Sequence, residues 1–317
     1  MDASPKAPST HRIGKVAIAT VILMLVSLIA GATPANAARG DYTKFSFMDS
    51  RYNTLDTFSP KGIVRGSGAS VKISTAYTYR VVGKFKKPKV VVQRKIGKKW
   101  ITQKNVKVVY TTNYGVTARI PAYTVPAGVV KQKVQYRFKS FKSAKKRIIT
   151  ADKSSAIKVT YENQAAYTGL AAAMYSGMAA YCPTATVRID ASLAADNHAG
   201  EYRIDKGIFI DPSIANYPPA ELLGVALHEC AHMKQFYNFG GTYKGKLKEK
   251  RAADNIFVAD PDPTGASPEY LQPFESREHA ADCASRAING GGYLGYGGYC
   301  NQVELDAGKR LMLGLRY

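Results

Sequence analysis

The chain has 317 residues, 45% of them apolar, so it can bury the cores of one or two ordinary domains and is not a disordered polymer. Its net charge of +22 is concentrated: residues 41–160 hold 27 Lys and Arg against 4 Asp and Glu, while residues 161–317 hold 14 against 18. Two modules of opposite electrostatic character are expected, joined near residue 160.

At the N-terminus, Arg12 and Lys15 precede the apolar run 16–32, and Ala35 and Ala37 follow in a small-x-small pattern. This reads as a signal peptide spanning residues 1–37, cleaved after Ala37, so the protein is expected to be secreted or associated with the cell envelope. The alternative is an uncleaved anchor, because 17 apolar residues just reach across a bilayer. Export permits disulfides, and the four cysteines Cys182, Cys230, Cys283 and Cys300 all lie in the C-terminal half. Three pairings are possible; the short loop favours Cys283–Cys300, which leaves Cys182–Cys230. No CxxC pair occurs, which argues against a cysteine zinc cluster.

The basic stretch 41–160 has the texture of strands. Runs at 71–83, 88–110, 115–125, 131–141 and 154–163 are short, β-branched and aromatic, and are split by Gly, Pro, Ser and Asn. In "VQYRFKS", Val134, Tyr136, Phe138 and Ser140 alternate with Gln135, Arg137 and Lys139, the period of a strand with one buried and one wet face. Several such strands in this length predict an all-β sandwich. The pattern "VVVQRKIGKKWITQKNVKV … VQYRFKS … SSAIKVTY" resembles the immunoglobulin-like modules of exported bacterial proteins, without a cysteine pair of its own. Its charge suits an anionic cell-wall polymer or an acidic membrane surface. Export, and aromatics that alternate as core residues would, argue against nucleic acid. A merely solvating basic surface is the plainer alternative.

The second module changes period. Residues 164–182 are Ala-rich and predict a helix, and 185–191 and 201–212 predict strands, the second alternating at Ile204, Ile208 and Ile210. Pro218 and Pro219 then suit a helix start, and Gly240 and Gly241 a stop. The helix between them, about 20 residues long, should be buried in its apolar first half and carries "LHECAHM". His228 and His232, four apart, leave one face a turn apart, so two imidazoles can take two corners of a zinc tetrahedron. Glu229 points about 100° away from His228. There it is badly placed to ligate but well placed to take a proton from a metal-activated water.

A third ligand must come from elsewhere. Gln235 and Asn238 stand where a metzincin would have its Gly and third His, which excludes that class. Downstream, "PFESREHAADCASRAINGG" predicts a helix over 274–289. Glu278 and Asp282 share one of its faces, offering a ligand and an acceptor for the free ring N–H of a zinc-bound histidine. His279 is the rival ligand on an adjacent face and Glu275 a third choice; the face shared with Asp282 favours Glu278.

HExxH followed by a later helix with ExxxD resembles the glutamate zincins. More narrowly, "HECAHMKQF … REHAADCAS", over residues 228–286, is similar to the neutral zinc metallopeptidases of bacteria. The resemblance implies an α+β zincin-like domain over 161–317 that hydrolyses peptide bonds in a protein or peptide substrate. It implies zinc held by His228, His232 and Glu278, Glu229 as general base, and Asp282 behind a ligand. It also suggests that the strand at 207–212 is the sheet edge along which a substrate lies. Candidate oxyanion donors are His198, Tyr293, Tyr296 and Tyr299. The competing reading is a non-catalytic envelope-binding protein with a structural or degenerate zinc site, which would have no need of Glu229. A latent precursor, with the basic module over the cleft, is a further possibility.

Overall fold

A computed structural model describes residues 42–48, 62–111, 114–196, 198–257, 275–291 and 299–317. The expected signal peptide, residues 1–37, and its cleavage site lie outside the described residues. Among those described, no helix is long and apolar enough to cross a membrane.

The architecture is mixed α/β, with three sheets among the described residues, none of them closed into a barrel. Strands β1 (Tyr42–Phe47), β3 (Ala69–Val82), β7 (Gly115–Tyr123) and β6 (Val108–Tyr110) form a four-stranded antiparallel sheet in the order β1-β3-β7-β6. A five-stranded sheet runs β2 (Ile63–Gly66), β9 (Ile157–Glu162), β8 (Lys131–Ser140), β4 (Val90–Ile96) and β5 (Lys99–Thr102), with β2 parallel to β9. Inward residues of both sheets build one core, including Phe45, Ile73, Val92, Val116, Phe138 and Tyr161. The alternation expected in β8 is present: Val134, Tyr136, Phe138 and Ser140 are buried, and the residues between them are half-exposed. The run 88–110, read as one strand-rich stretch, divides into β4, β5 and β6. The chain changes sheets after β5, where turn-forming Lys104 and Asn105 interrupt the pattern. Lysines 95, 98, 99, 104 and 107 of this region are exposed.

Beyond β9 the chain becomes mainly helical. Helix α1 spans Gly169–Met178, shorter than the predicted 164–182. Asn163 caps a separate 3-10 turn over Gln164–Ala166, and Thr168 is extended (φ −133°, ψ 164°), so helical geometry cannot run through it. A three-stranded sheet follows, ordered β10 (Val187–Ile189), β12 (Gly207–Ile210), β11 (Gly200–Arg203). The single strand expected over 201–212 is therefore a hairpin. Asp205 takes a left-handed conformation (φ 63°) and Lys206 N–H donates to Arg203 O at 2.9 Å, which reverses the chain. The 207–212 segment is also not the sheet edge: β12 is central, parallel to β10 and antiparallel to β11.

Helices α2 (Pro219–Asn238), α3 (Tyr243–Ile256), α4 (Glu275–Asn289) and α5 (Gln302–Met312) complete the fold. The starts of α3 and α5 are written locally. Thr242 accepts from Gly245 N–H, and Asn301 with Glu304 forms a reciprocal capping box. Met174, Met178, Ile208, Ile210, Val225, Leu227 and Ala284 pack α1, the small sheet, α2 and α4 into a second core.

The change of charge near residue 160 coincides with the end of β9, yet the two parts are joined by more than the chain. Gly66 N–H donates to Thr184 O at 3.0 Å, and Gln164 Nε2 donates to Pro183 O and Ala185 O at 3.1 and 3.2 Å. Residue 66 has to be glycine for this approach, since a Cβ there would stand 1.6 Å from Gln164 Nε2. Arg188 pairs with Glu162 at 2.8 Å across the same seam.

Both expected disulfides are present, Cys182–Cys230 and Cys283–Cys300. They close loops of 48 and 17 residues. Loop entropy predicts losses of about 4 and about 3 kcal/mol respectively when each pair is replaced by Ala. Denaturant unfolding of the two double variants should rank them in that order, and the reverse order would show that packing around Cys283 outweighs chain entropy.

Candidate metal centre

Helix α2 carries the HExxH residues into the interior. Its first half is apolar apart from Glu221, and Val225, Ala226, Leu227, Cys230 and Ala231 are each no more than 1% exposed. Helix α4 packs beside it, and Ser285 Oγ donates to Gly224 O at 2.9 Å between them. This pairing brings residues 46 and 54 positions apart into contact.

The hydrogen bonds around the histidines set their tautomers. His228 Nδ1 donates to Asp282 Oδ1 at 2.7 Å, and Asp282 is fully buried. His232 Nδ1 donates to Gln235 Oε1 at 2.8 Å, and the Gln235 amide is itself oriented by donation from Nε2 to Arg277 O at 2.8 Å. With both Nδ1 protons held, both Nε2 atoms face one point. They lie 3.0 Å apart, and Glu278 Oε2 stands 2.8 Å from that of His232 and 3.4 Å from that of His228. Ligands on a tetrahedral ion with bonds of about 2.0–2.1 Å stand about 3.3 Å from each other. The observed triangle therefore fits one small cation, and its donor set of two imidazoles and a carboxylate suits zinc.

Charge follows the same geometry. Burial opposes a charged His228, but its bonds to Asp282 and Glu278 outweigh that cost and lift its pKa well above that of an ordinary histidine. Burial likewise favours a protonated Glu278, yet His232 and His228 hold its carboxyl far below the usual range. Solvent reaches the cluster from the Glu278 side, since side-chain exposure rises from 6% at His228 to 14% at His232 and 26% at Glu278.

Glu229 is 4% exposed, and among the described residues its Oε2 has no hydrogen-bond partner. Burial raises its pKa, against the opposing pull of His228 and His232. Strand β11 lies against it: a Cβ on Gly200 would come within 2.9 Å of Glu229 Cγ.

His279 faces away from the triangle, toward Glu304 Oε1 at 3.3 Å and Cys283 Sγ at 3.6 Å from its Nε2. It also lies near Cys300, but both sulfurs of that group are spent in a disulfide, so Glu278 is the third member of the metal-competent cluster. The Glu275 side chain, Tyr293 and Tyr296 lie outside the described residues. His198 and Tyr299 are both exposed, and neither shares a described contact with the cluster. Sequence reasoning passed over Gln235 as a ligand-orienting residue. Its spacing, three after His232 and seven after His228 on one helix face, is the signal that could have found it. Also beyond its reach was the buried Glu249 on α3, which pairs with Arg277 and accepts the Tyr317 hydroxyl, tying α3 to the start of α4.

No family model matches this chain, and no curated protein matches it.

Zinc measured per chain by elemental analysis should be near one for wild type and His279→Ala, and close to none for Glu278→Ala. Gln235→Ala should weaken zinc binding by about 10–100-fold, because it frees the ring of His232. Imidazole ligands must be free of protons at the metal-facing nitrogen, so apparent affinity for a cation should be higher at about pH 8 than at about pH 6 and fall on acidification. Chelator competition at both ends checks the sign; a flat profile would contradict it.

Proposed function

We propose that the chain is a secreted zinc metallopeptidase of the glutamate-zincin type, with an immunoglobulin-like basic module that holds it at an anionic envelope surface. His228, His232 and Glu278 would hold the metal. Zinc, when bound, supplies a Lewis acid that polarises a scissile carbonyl and lowers the pKa of water. Asp282 and Gln235 keep the two imidazoles in the Nδ1–H tautomer that leaves Nε2 free. Glu229 accepts a proton at a carboxylate oxygen and returns it to the leaving amine. Its burial favours this by moving its pKa upward toward the working range of a general base. Strand β11, an edge strand among the described residues and packed against α2, offers a sheet edge along which an extended peptide can lie.

The observation that carries this reading is the buried Oε2 of Glu229, without a hydrogen-bond partner among the described residues, beside three converging acceptors. A structural site has no use for a buried carboxylate with an unpaired oxygen, whereas a general base requires one. That weighs against the alternative of a non-catalytic envelope-binding protein. The envelope role rests on the excess of 23 positive charges in residues 41–160 and on their exposed lysines.

Glu229→Gln should keep its zinc and lose about 10²–10⁴-fold in kcat on a casein-derived peptide library. Equal rates for variant and wild type, or a zinc-loaded wild type that cuts nothing, would sink the peptidase reading. The intact protein should sediment with anionic cell-wall material at low salt and be released when ionic strength rises about tenfold. A protein that stays in the supernatant at low salt has no such envelope role.

A further inference from the structure

The polar seam between the basic sheets and the helical part has two separate destinations. Gly66, Gln164 and Glu162 reach Thr184, Pro183, Ala185 and Arg188, all on the β10 side. Val64 and Arg65 instead reach the β11–β12 hairpin. Val64 N–H donates to Asp205 O at 2.8 Å, and the Arg65 guanidinium pairs with the Asp205 carboxylate in the hairpin loop. Both side chains are buried, 14% and 6% exposed, and Arg65 Cζ also lies 5.4 Å over the ring of Tyr237 on the metal-bearing helix α2. The Tyr202 hydroxyl of β11 is buried beside Arg65 and Tyr237. One guanidinium therefore touches both the hairpin and the helix that it lies against.

We infer that Arg65 is a positioning residue for the metal centre, holding strand β11 down on α2 and thereby fixing the side chain of Glu229. The basic sheets are then a working part of the site and not a detachable anchor. Strand β11 has four residues and one neighbour, β12, so by itself it is prone to fray. Yet it is the element that sets the Glu229 rotamer. Gly200 lies so close that a Cβ would stand 3.0 Å from Glu229 Oε1, and the backbone N–H of Tyr202 also faces that carboxylate. Lifting the strand would free the carboxylate without touching His228, His232 or Glu278. Removing the guanidinium would also strand the buried Asp205 charge at the end of the hairpin, which further favours its opening. The argument rests on the proposed hydrolytic role for its kinetic consequence alone.

The test uses the full-length, zinc-loaded protein as wild type, Arg65→Met, Arg65→Lys and Asp205→Asn, with three readouts. Zinc per chain should be unchanged in all four. Amide hydrogen exchange over residues 200–203 should accelerate about tenfold or more in Arg65→Met and Asp205→Asn, and be partly restored in Arg65→Lys, which keeps the charge. On the casein-derived peptides, kcat should fall in the same order while KM stays near the wild-type value. Wild-type exchange in residues 200–203 of Arg65→Met, with zinc retained, would overturn the inference; so would a loss of zinc in parallel with the faster exchange, because the residue would then be general scaffolding. If Arg65→Met does not fold, Arg65→Lys and Asp205→Asn decide the question by the same exchange measurement. A wild type without peptidase activity would remove the proposed function, and exchange would still decide the clamp.

Discussion

Two imidazole nitrogens and a carboxylate oxygen, all within 3.4 Å of each other and half-buried, cannot face one point without a positive charge between them. Much of the helical part is arranged to enforce that encounter. Helix α2 is buried from Gly224 to Ala231, which fixes the stretch of backbone that carries His228. Asp282 and Gln235 occupy the outer nitrogens, so the inner ones face each other and Glu278 in a group that could hold a cation. Arg277 and Glu249 anchor the start of α4, and Gln235 is braced in turn by the Arg277 carbonyl. A cation shared by three gathered acceptors would offset the cost of bringing them together, which is how metal binding and folding become coupled in such sites.

The disulfides lie along the same elements. Cys230 adjoins Glu229 on α2 and ties it to the chain after α1, while Cys283 adjoins Asp282 on α4 and ties it to the start of α5. Each bridge is thus one residue from a side chain of the centre and points to another face of its helix, as neighbouring helical residues must. A covalent tie on each of the two helices that carry the cluster opposes local opening there.

The contrast in charge between the halves does not make them independent. Complementary contacts such as Arg188 with Glu162 and Arg65 with Asp205 run in opposite directions across the seam. These pairs, the Arg65–Asp205 one largely buried, and the approach that Gly66 permits set the β2–β9 edge against the small sheet. A composition boundary marks where a surface changes its partners in solution; it says little about which buried faces meet.

The sequence by itself determined what short-range rules can write: the 20-residue helix between its prolines and glycines, the common face of His228 and His232, the pairing of Glu278 with Asp282 on a second helix, and the alternation of β8. Its failures were also local. The hairpin at Arg203–Gly207 was read as one strand because the apolar period continues through a turn that hinges on the left-handed Asp205. Only the tertiary structure decided that Glu278 and not His279 faces the histidines, that Gln235 orients His232, and that β11, not β12, is the edge strand beside Glu229. Those outcomes depend on how helices rotate against each other and on which strand finds a neighbour, and such contacts join residues dozens of positions apart that no periodicity links.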